Sequence, residues 1–484
     1  MYHEHAECGN LSELLKKLGA ELDQYLCFEH PDAVSNIDSW KAALGGNVPD
    51  TGIGSEQLIS EIGQYLIPNG SQIPKPGCTS FITTGASSMG VLASLSGAVV
   101  APQRVGMTAF NYLEELSLQW MAEMFELSAR MKGVYSSGGS VANLVAIGAA
   151  RQWAFEKLGI NVAEDGITRP CRLYTSTACH RTIHRAAAVL GMGRSAVMSI
   201  ATDSNGQICL RALHQQLQED MDKNIVPIAI VANAGTTNTG AIDPLNAIAD
   251  IAAEFGIWMH VDGAYGLPGI LDPRIRHLYQ GIERVDSVII DPHKWLGAPV
   301  GIGATFVRDR SILHRAFSQG SADYLEGACH EHNIQNSMSS MGIPYHDFGV
   351  ELSAPSRGAV VWALIREIGK SGMQERICRH NDMARLVADL AEQHPKLEVV
   401  QQPTLSICCF RYVDQHIEDL NEFNQQIHRQ LLQNARNIPS TTLINGKLVI
   451  RPCFVGARTT EHHARDLLDE VIATGNQLLA HKLA

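Results

Sequence analysis

A chain of 484 residues is too long for one simple core and suits two or three packed lobes of ordinary size. Its 45% hydrophobic and 18% charged residues are those of a globular protein, which excludes a disordered one. A formal net charge of -12 argues against nucleic-acid binding, because no basic balance is present to neutralise phosphates.

In chain order, the opening MYHEHAECGN is polar and lacks the apolar core of a signal peptide. Amphipathic helices are expected in LSELLKKLGAELDQYL and SEQLISEIGQYLI, followed by the Pro/Gly-rich connector IPNGSQIPKPG. Residues 1–74 therefore read as a helical segment. Residues 76–103 carry no charged side chain and are long enough for a membrane span. Their Gly, Ser, Thr and Pro content predicts a buried rim beside a ligand instead.

Residues 75–356 alternate β-branched runs with helical stretches, the pattern of a large α/β domain with a mostly parallel sheet. The clearest unit starts with the strand VPIAIVANAG, residues 226–235. Asp243-Pro244 is expected to cap and open the helix PLNAIADIAAEF, which should stop at Gly256. The strands IWMHVD and DSVIID follow, the second ending just before Pro292. Such sheets gather ligands beyond the carboxyl ends of their strands, where Asp262 and Lys294 fall. Residues 357–484 read as a smaller α+β domain. It should contain the helix RGAVVWALIREIG, the strands LEVVQQ and LSICCFRYV, a hairpin at Asn445-Gly446 and a final helix.

The strongest chemical signal is DPHKWLG. A lysine directly after a buried strand, between His293 and Trp295, is poorly placed to be a solvated charge. Desolvation frees its amine to act as a nucleophile that forms an imine. The competing reading is a surface lysine in a strand–helix loop. Upstream, HVDGAYG places Asp262 where a carboxylate could keep an electron-sink pyridine protonated, and the small Ala264 would let the ring lie flat. An ordinary strand-end cap is the alternative for Asp262. The turn in VYSSGGSVANLVAIGAA leads into a helix and offers N–H groups and a dipole to a phosphate, although any tight turn could look alike.

His180 and His184 are four apart, but no HExxH pattern or third ligand supports a metal. An imidazole over a cofactor ring suits His180, and a structural role suits His184. CHEH at residues 329–332 reads as a polar loop, so no metal is expected. Eleven scattered cysteines without a CxxC pair read as reduced thiols of a cytoplasmic protein.

The motifs SSGGSVANL, TACHRTIHRAA, NAGTTNTGAIDPL, HVDGAYG, DSVIIDPHKWLG and APSRGAVVWAL follow one another within residues 75–460. With them the chain resembles the group II pyridoxal-phosphate amino-acid decarboxylases, which include the aromatic-amino-acid, glutamate and tyrosine decarboxylases. The resemblance implies a type I aminotransferase fold and a homodimer with sites built from both chains. It also implies pyridoxal 5′-phosphate as cofactor and α-decarboxylation of an L-amino acid to its amine. By position, Lys294 would hold the cofactor as a Schiff base, Asp262 would pair with the pyridine nitrogen, His180 would stack on the ring and Ala264 would pack beneath it. Gly139 and Ser140 would hold the phosphate, with Thr237, Ser287, Asp291 and His293 lining the cofactor site. A family tyrosine that returns a proton to the substrate carbon is matched by Tyr324 in SADYLEG. Thr83, or its neighbour Thr84, matches a threonine near the substrate.

Two departures stand out. Asp291 replaces an asparagine that many members carry, and a carboxylate near a phosphate is unfavourable unless protonated or turned toward donors. The aromatic-rich segment of the aromatic-amino-acid members is missing from FITTGASSMG and APQRVGMTAF, which weakens an aromatic substrate. Arg104 could meet an acidic substrate at the rim or be a solvated surface charge. Aldehyde formation accompanies changes at the loop tyrosine or the stacking histidine, and both Tyr324 and His180 are present. Aminotransferase and carbon–carbon lyase chemistry are further rivals. A catalytically idle binding subunit would be expected to lack Lys294 or Asp262. No GxGxxG supports a nicotinamide-binding fold.

Overall fold

Short amphipathic helices open the chain, as their periodicity predicts. The computed structural model describes residues 11–30, 33–104, 106, 108–318 and 342–483. The chain divides into two units, Met1–Cys78 and Thr79–Ala484. In the first, the helix Leu11–Tyr25 buries none of its residues. Ser55–Glu61 runs on as a helical turn through Ile62–Leu66, and Ile37–Leu44 adds a helix not expected from the sequence. Lys17 pairs with Glu56, and the His30 ring stacks on Tyr25 with centroids 4.5 Å apart.

The second unit is built on a sheet of β1 (Lys132–Ser136), β2 (Cys171–Ser176), β3 (Val197–Ile200), β4 (Val226–Asn233), β5 (Trp258–Asp262), β6 (Ser287–Ile290) and β7 (Gly303–Val307). Their spatial order is β1-β7-β6-β5-β4-β2-β3. β7 runs antiparallel to both neighbours, and the other pairs are parallel. Every residue of β5 and β6 is buried, which is why they read as nearly unbroken apolar runs. This is the mostly parallel α/β architecture of the type I aminotransferase fold.

Helices α1 (Gly139–Glu156), α2 (Thr182–Val189) and α3 (Leu245–Phe255) link these strands. Gly256 closes α3 in the left-handed conformation at φ 64, where a side chain would be strained. The long α4 (Gly358–Glu392) is interrupted at Gly369, with φ 69 and ψ 178. Beyond it, β8 (Leu397–Gln401), β9 (Cys409–Tyr412), β10 (Ile438–Ile444) and β11 (Lys447–Arg451) pair antiparallel. Asn445 and Gly446 turn the expected hairpin with φ 50 and 78. Phe410, Ile427, Leu431, Phe454 and Val471 form a separate apolar cluster here.

Two local expectations are corrected. Asp243 does not cap α3, because Pro244 occupies the cap position. Its buried carboxylate turns back and accepts from Ile208 N at 2.7 Å, Asn233 N at 2.7 Å and Asn233 Nδ2 at 2.9 Å. The end of β4 needed an acceptor more than α3 needed a cap. The uncharged stretch is not a buried rim either. It contains the helix Ser88–Val100, capped by Ser87 Oγ and buried only at Gly90 and Gly97. Val91, Leu92, Val99 and Val100 are exposed, the last at 65%. Among the described residues no helix is long and apolar enough to cross a membrane.

Asp243→Ala strands three buried donors, so a loss of about 3 kcal/mol of stability is expected. A clear drop in Tm of the cofactor-free protein by circular dichroism would show it. An unchanged Tm would mean that Asp243 is dispensable.

Candidate active site

Loops leaving β1, β4, β5 and β6 meet at one edge of the sheet because these strands point the same way. The register sets Asn233 beside Asp262 and Asp262 beside Ile289, so the strand ends are level. There a cavity of about 350 Å³ is lined by Gly139, Ser140, His180, Thr237, Asp262, Ala264, Asp291, His293 and Lys294. Nine of the residues singled out from the sequence thus face one space.

The others lie elsewhere. Ser287 opens β6, and the cavity lies beyond its far end, roughly 10 Å along the strand. It is fully buried and hydrogen-bonds Trp258 and His260, which corrects its placement at the cofactor. Neither Thr83 nor Thr84 lines the cavity, and the buried Thr84 carbonyl accepts from Ala457 N at 3.2 Å. Arg104 is neither a rim nor a surface residue. It is buried and donates to Tyr135 O at 3.0 Å and Glu351 O at 2.6 Å. His184 stays outside the cavity, and no metal-competent cluster exists among the described residues. Tyr324 and the segment CHEH lie outside the described residues.

The first turn of α1 leaves N–H groups without helical partners, and Gly138 caps it at φ 133 with no side-chain acceptor. A Cβ on Gly139 would sit 2.5 Å from Asp291 Oδ2, and one on Gly138 would sit 3.0 Å from His293 Cε1. Only glycines allow this close approach. Lys294 lies in the helical turn Pro292–Leu296, with Nζ 3.0 Å from Asp291 Oδ2. Asp291 thus faces a cation, while its buried Oδ1 has no partner among the described residues. His293 Nδ1 donates to Ile302 O at 2.7 Å, and burial lowers the His293 pKa. Trp295 stacks on Tyr265 at 5.2 Å and donates to His380 Nδ1 at 2.9 Å, fixing the turn that carries Lys294.

Asp262 accepts from Ala264 N at 3.1 Å and from Asn143 Nδ2 at 3.0 Å. His180 Nδ1 lies 2.9 Å from Thr182 Oγ1, and burial lowers its pKa against the pull of Asp262. The buried Arg451 donates to Thr237 O and to Asn238 O at 3.3 Å, steadying the loop after β4. Asn143, Thr182 and Arg451 carry no chemical signature in the sequence. The one clue was a polar Asn143 within an otherwise small and apolar helix start.

The family model described as the pyridoxal-dependent decarboxylase conserved domain matches residues 39–413. The chain belongs to this family. Its cofactor is pyridoxal 5′-phosphate. An aromatic-L-amino-acid decarboxylase of Bacillus atrophaeus is 29% identical over 447 residues, spanning 91% of this chain and 90% of that protein. A phenylacetaldehyde synthase of Arabidopsis thaliana is 26% identical over 453 residues, spanning 91% and 89%. The crystal structure of Oryza sativa TDC with PLP and tryptamine superposes with a TM-score of 0.87 at 24% identity. That match covers 99% of this chain and 100% of the other, and it shows the shared fold.

The residues present fit the cofactor of a pyridoxal-dependent decarboxylase. The glycine cradle suits its phosphate, the Asp262 carboxylate suits its ring nitrogen, and the Lys294 amine suits its aldehyde. Gly139→Ala is expected to weaken binding of pyridoxal 5′-phosphate at least about tenfold, or roughly 1.4 kcal/mol, in a fluorescence titration of cofactor-free protein. Unchanged affinity would contradict the cradle.

Proposed function

We propose that this protein releases carbon dioxide from an L-amino acid and yields the corresponding amine. The convergence of Lys294, Asp262, His180 and the Gly138–Ser140 turn on one cavity carries this reading. Bound there, the cofactor supplies an electron sink for the pair freed when the bond from Cα to the carboxylate breaks.

The chain supplies the rest. Lys294 Nζ, 3.0 Å from Asp291 Oδ2, would be the amine that holds the cofactor through its aldehyde. Asp262 would pair with the pyridine nitrogen and keep it protonated. His180 would cover the cofactor ring, and the small Ala264 would leave room for it to lie flat. Gly139 and Ser140 bind the phosphate through backbone N–H groups, with Thr237, Asp291 and His293 around it. Thr83 or Thr84 is assigned to the substrate, and Tyr324 to proton delivery at Cα, from sequence position alone. The relative named phenylacetaldehyde synthase raises aldehyde formation as a second reading. The presence of both Tyr324 and His180 favours the amine.

The reading includes a homodimer in the cytoplasm. Exposed Val91, Leu92, Val99 and Val100 leave an apolar helix face that a second copy of the chain would cover. No disulfide joins the described cysteines, in keeping with a reducing compartment. Leu92→Glu is expected to shift the protein toward monomer in sedimentation velocity, and an unshifted dimer would place the interface elsewhere.

The deciding assay offers L-amino acids singly to cofactor-loaded protein and measures carbon dioxide and amine. Equal amounts from one amino acid are expected. Lys294→Ala should lower the rate on the order of 10³-fold or more. Aldehyde in place of amine, or no carbon dioxide from any amino acid, would overturn the proposal.

A further inference from the structure

Trp258 and Ser287 open β5 and β6, at the end of the sheet away from the cavity. A file of buried side chains runs from them to the two groups assigned to the cofactor ring. Trp258 Nε1 lies 2.8 Å from Ser287 Oγ, which lies 2.8 Å from His260 Nδ1. His260 Nε2 is 2.9 Å from Asn143 Oδ1. Asn143 Nδ2 is 3.0 Å from Asp262 Oδ2 and 3.3 Å from Thr182 Oγ1. Thr182 Oγ1 is 2.9 Å from His180 Nδ1. Trp258, Ser287, His260 and Asn143 are each 5% exposed or less, so water does not complete these contacts.

The Asp262 carboxylate sets the sense of the links. It can only accept, so Asn143 Nδ2 donates to it and Asn143 Oδ1 is left to accept from His260 Nε2. Neutral His260 then has no proton for Nδ1, so that nitrogen accepts from Ser287 Oγ, which itself accepts from the Trp258 indole N–H. The Asn143 amide then directs its two N–H bonds to Asp262 and Thr182. The Thr182 hydroxyl donates to His180 Nδ1, because a backbone N–H already makes that nitrogen an acceptor. This N–H is that of Thr182 itself, 3.4 Å from the nitrogen. His180 Nδ1 accepts twice, and its ring proton belongs on Nε2.

We infer that Asn143 is the junction of a one-way hydrogen-bond relay that fixes both ring-facing groups, holding Asp262 directly and setting the His180 tautomer through Thr182. Asn143, Thr182, His260 and Ser287 are then positioning residues. The inference rests on reading the cavity as the cofactor site. It also explains why Ser287, far from the cavity, is a buried hydroxyl rather than an apolar residue.

The relay keeps the imidazole over the ring neutral. A second proton on His180 would have to enter at Nδ1, against two donors. Burial acts in the same direction, as do the Lys294 and Arg185 cations, while Asp262 and Asp291 oppose it. His260 is held neutral as well, its pKa pushed down to about 4 by burial. The neutral state of His180 is present above its lowered pKa and is lost only as pH falls through it.

The test uses cofactor-free protein with ¹⁵N-labelled histidine, whose ring shifts report tautomer and titration independently of catalysis. Wild-type His180, assigned by difference with His180→Gln, is expected as the Nε2–H tautomer. Thr182→Val should raise its titration midpoint and mix its tautomers, and Thr182→Ser should restore both. Ser287→Ala should raise the His260 titration midpoint, because it removes the donor that opposes a second proton at Nδ1. In the loaded enzyme, Thr182→Val should lower kcat about tenfold with KM little changed, and Thr182→Ser should recover it. His180 found with its proton on Nδ1, or an unchanged midpoint in Thr182→Val, would overturn the relay. Failure of the decarboxylase reading would appear separately, as absence of carbon dioxide release by the wild type.

Discussion

The hydrogen bond from Asn143 Nδ2 to Asp262 Oδ2 joins the helix behind the phosphate cradle to the strand that ends at the cavity. Without it, a carboxylate would stand nearly buried at the end of β5, where desolvation is costly unless donors are supplied. Buried apolar residues of α1 pack it on the sheet, and its start brings Gly138 and Gly139 to the loop that carries Lys294. One contact thereby relates Gly139, Asp262 and Lys294, which line the same cavity. The family's chemistry requires those three to be held at fixed separations.

The same need for partners explains residues with no direct part in the chemistry. Asp243 binds three donors at the end of β4, and Glu114 accepts Gly358 N at 2.6 Å where α4 begins. Burial raises the Glu114 pKa, and the backbone N–H of Gly358 works against that rise. Arg104 and Arg451 are buried cations that serve backbone carbonyls. In a sheet covered on both faces, a polar side chain is kept where it satisfies a backbone group that secondary structure leaves unpaired. Charge inside this protein mostly organises loops, and the cavity is where those loops leave polar groups facing open space.

Much of the fold was legible because buried parallel strands leave continuous apolar runs, and VPIAIVAN, WMHVD and SVII became β4, β5 and β6. Asp262 and Lys294 were legible for the same reason, since each follows such a run and the ends of parallel strands share an edge. Ser287 was misplaced because its distance from the cavity depends on which end of β6 it occupies. Asp243 looked like a helix cap, yet the nearby end of β4 competed for the same oxygens. The stretch 76–103 lacked charge, and whether an uncharged helix lies buried or exposed is decided by what packs against it.

The sequence alone determined the residue types of the chemistry: a lysine and an aspartate after buried strands, a glycine turn before a helix and a histidine able to cover a ring. Local pattern suffices there, because strand ends, helix starts and turns are set by neighbouring residues. Only the tertiary structure decided who touches whom. It brought Asn143 to Asp262 across 119 positions and His260 to Asn143 across 117. It also turned Arg104 inward, toward a carbonyl 247 positions away. Such pairings depend on packing between distant segments, and no local run of residues records them.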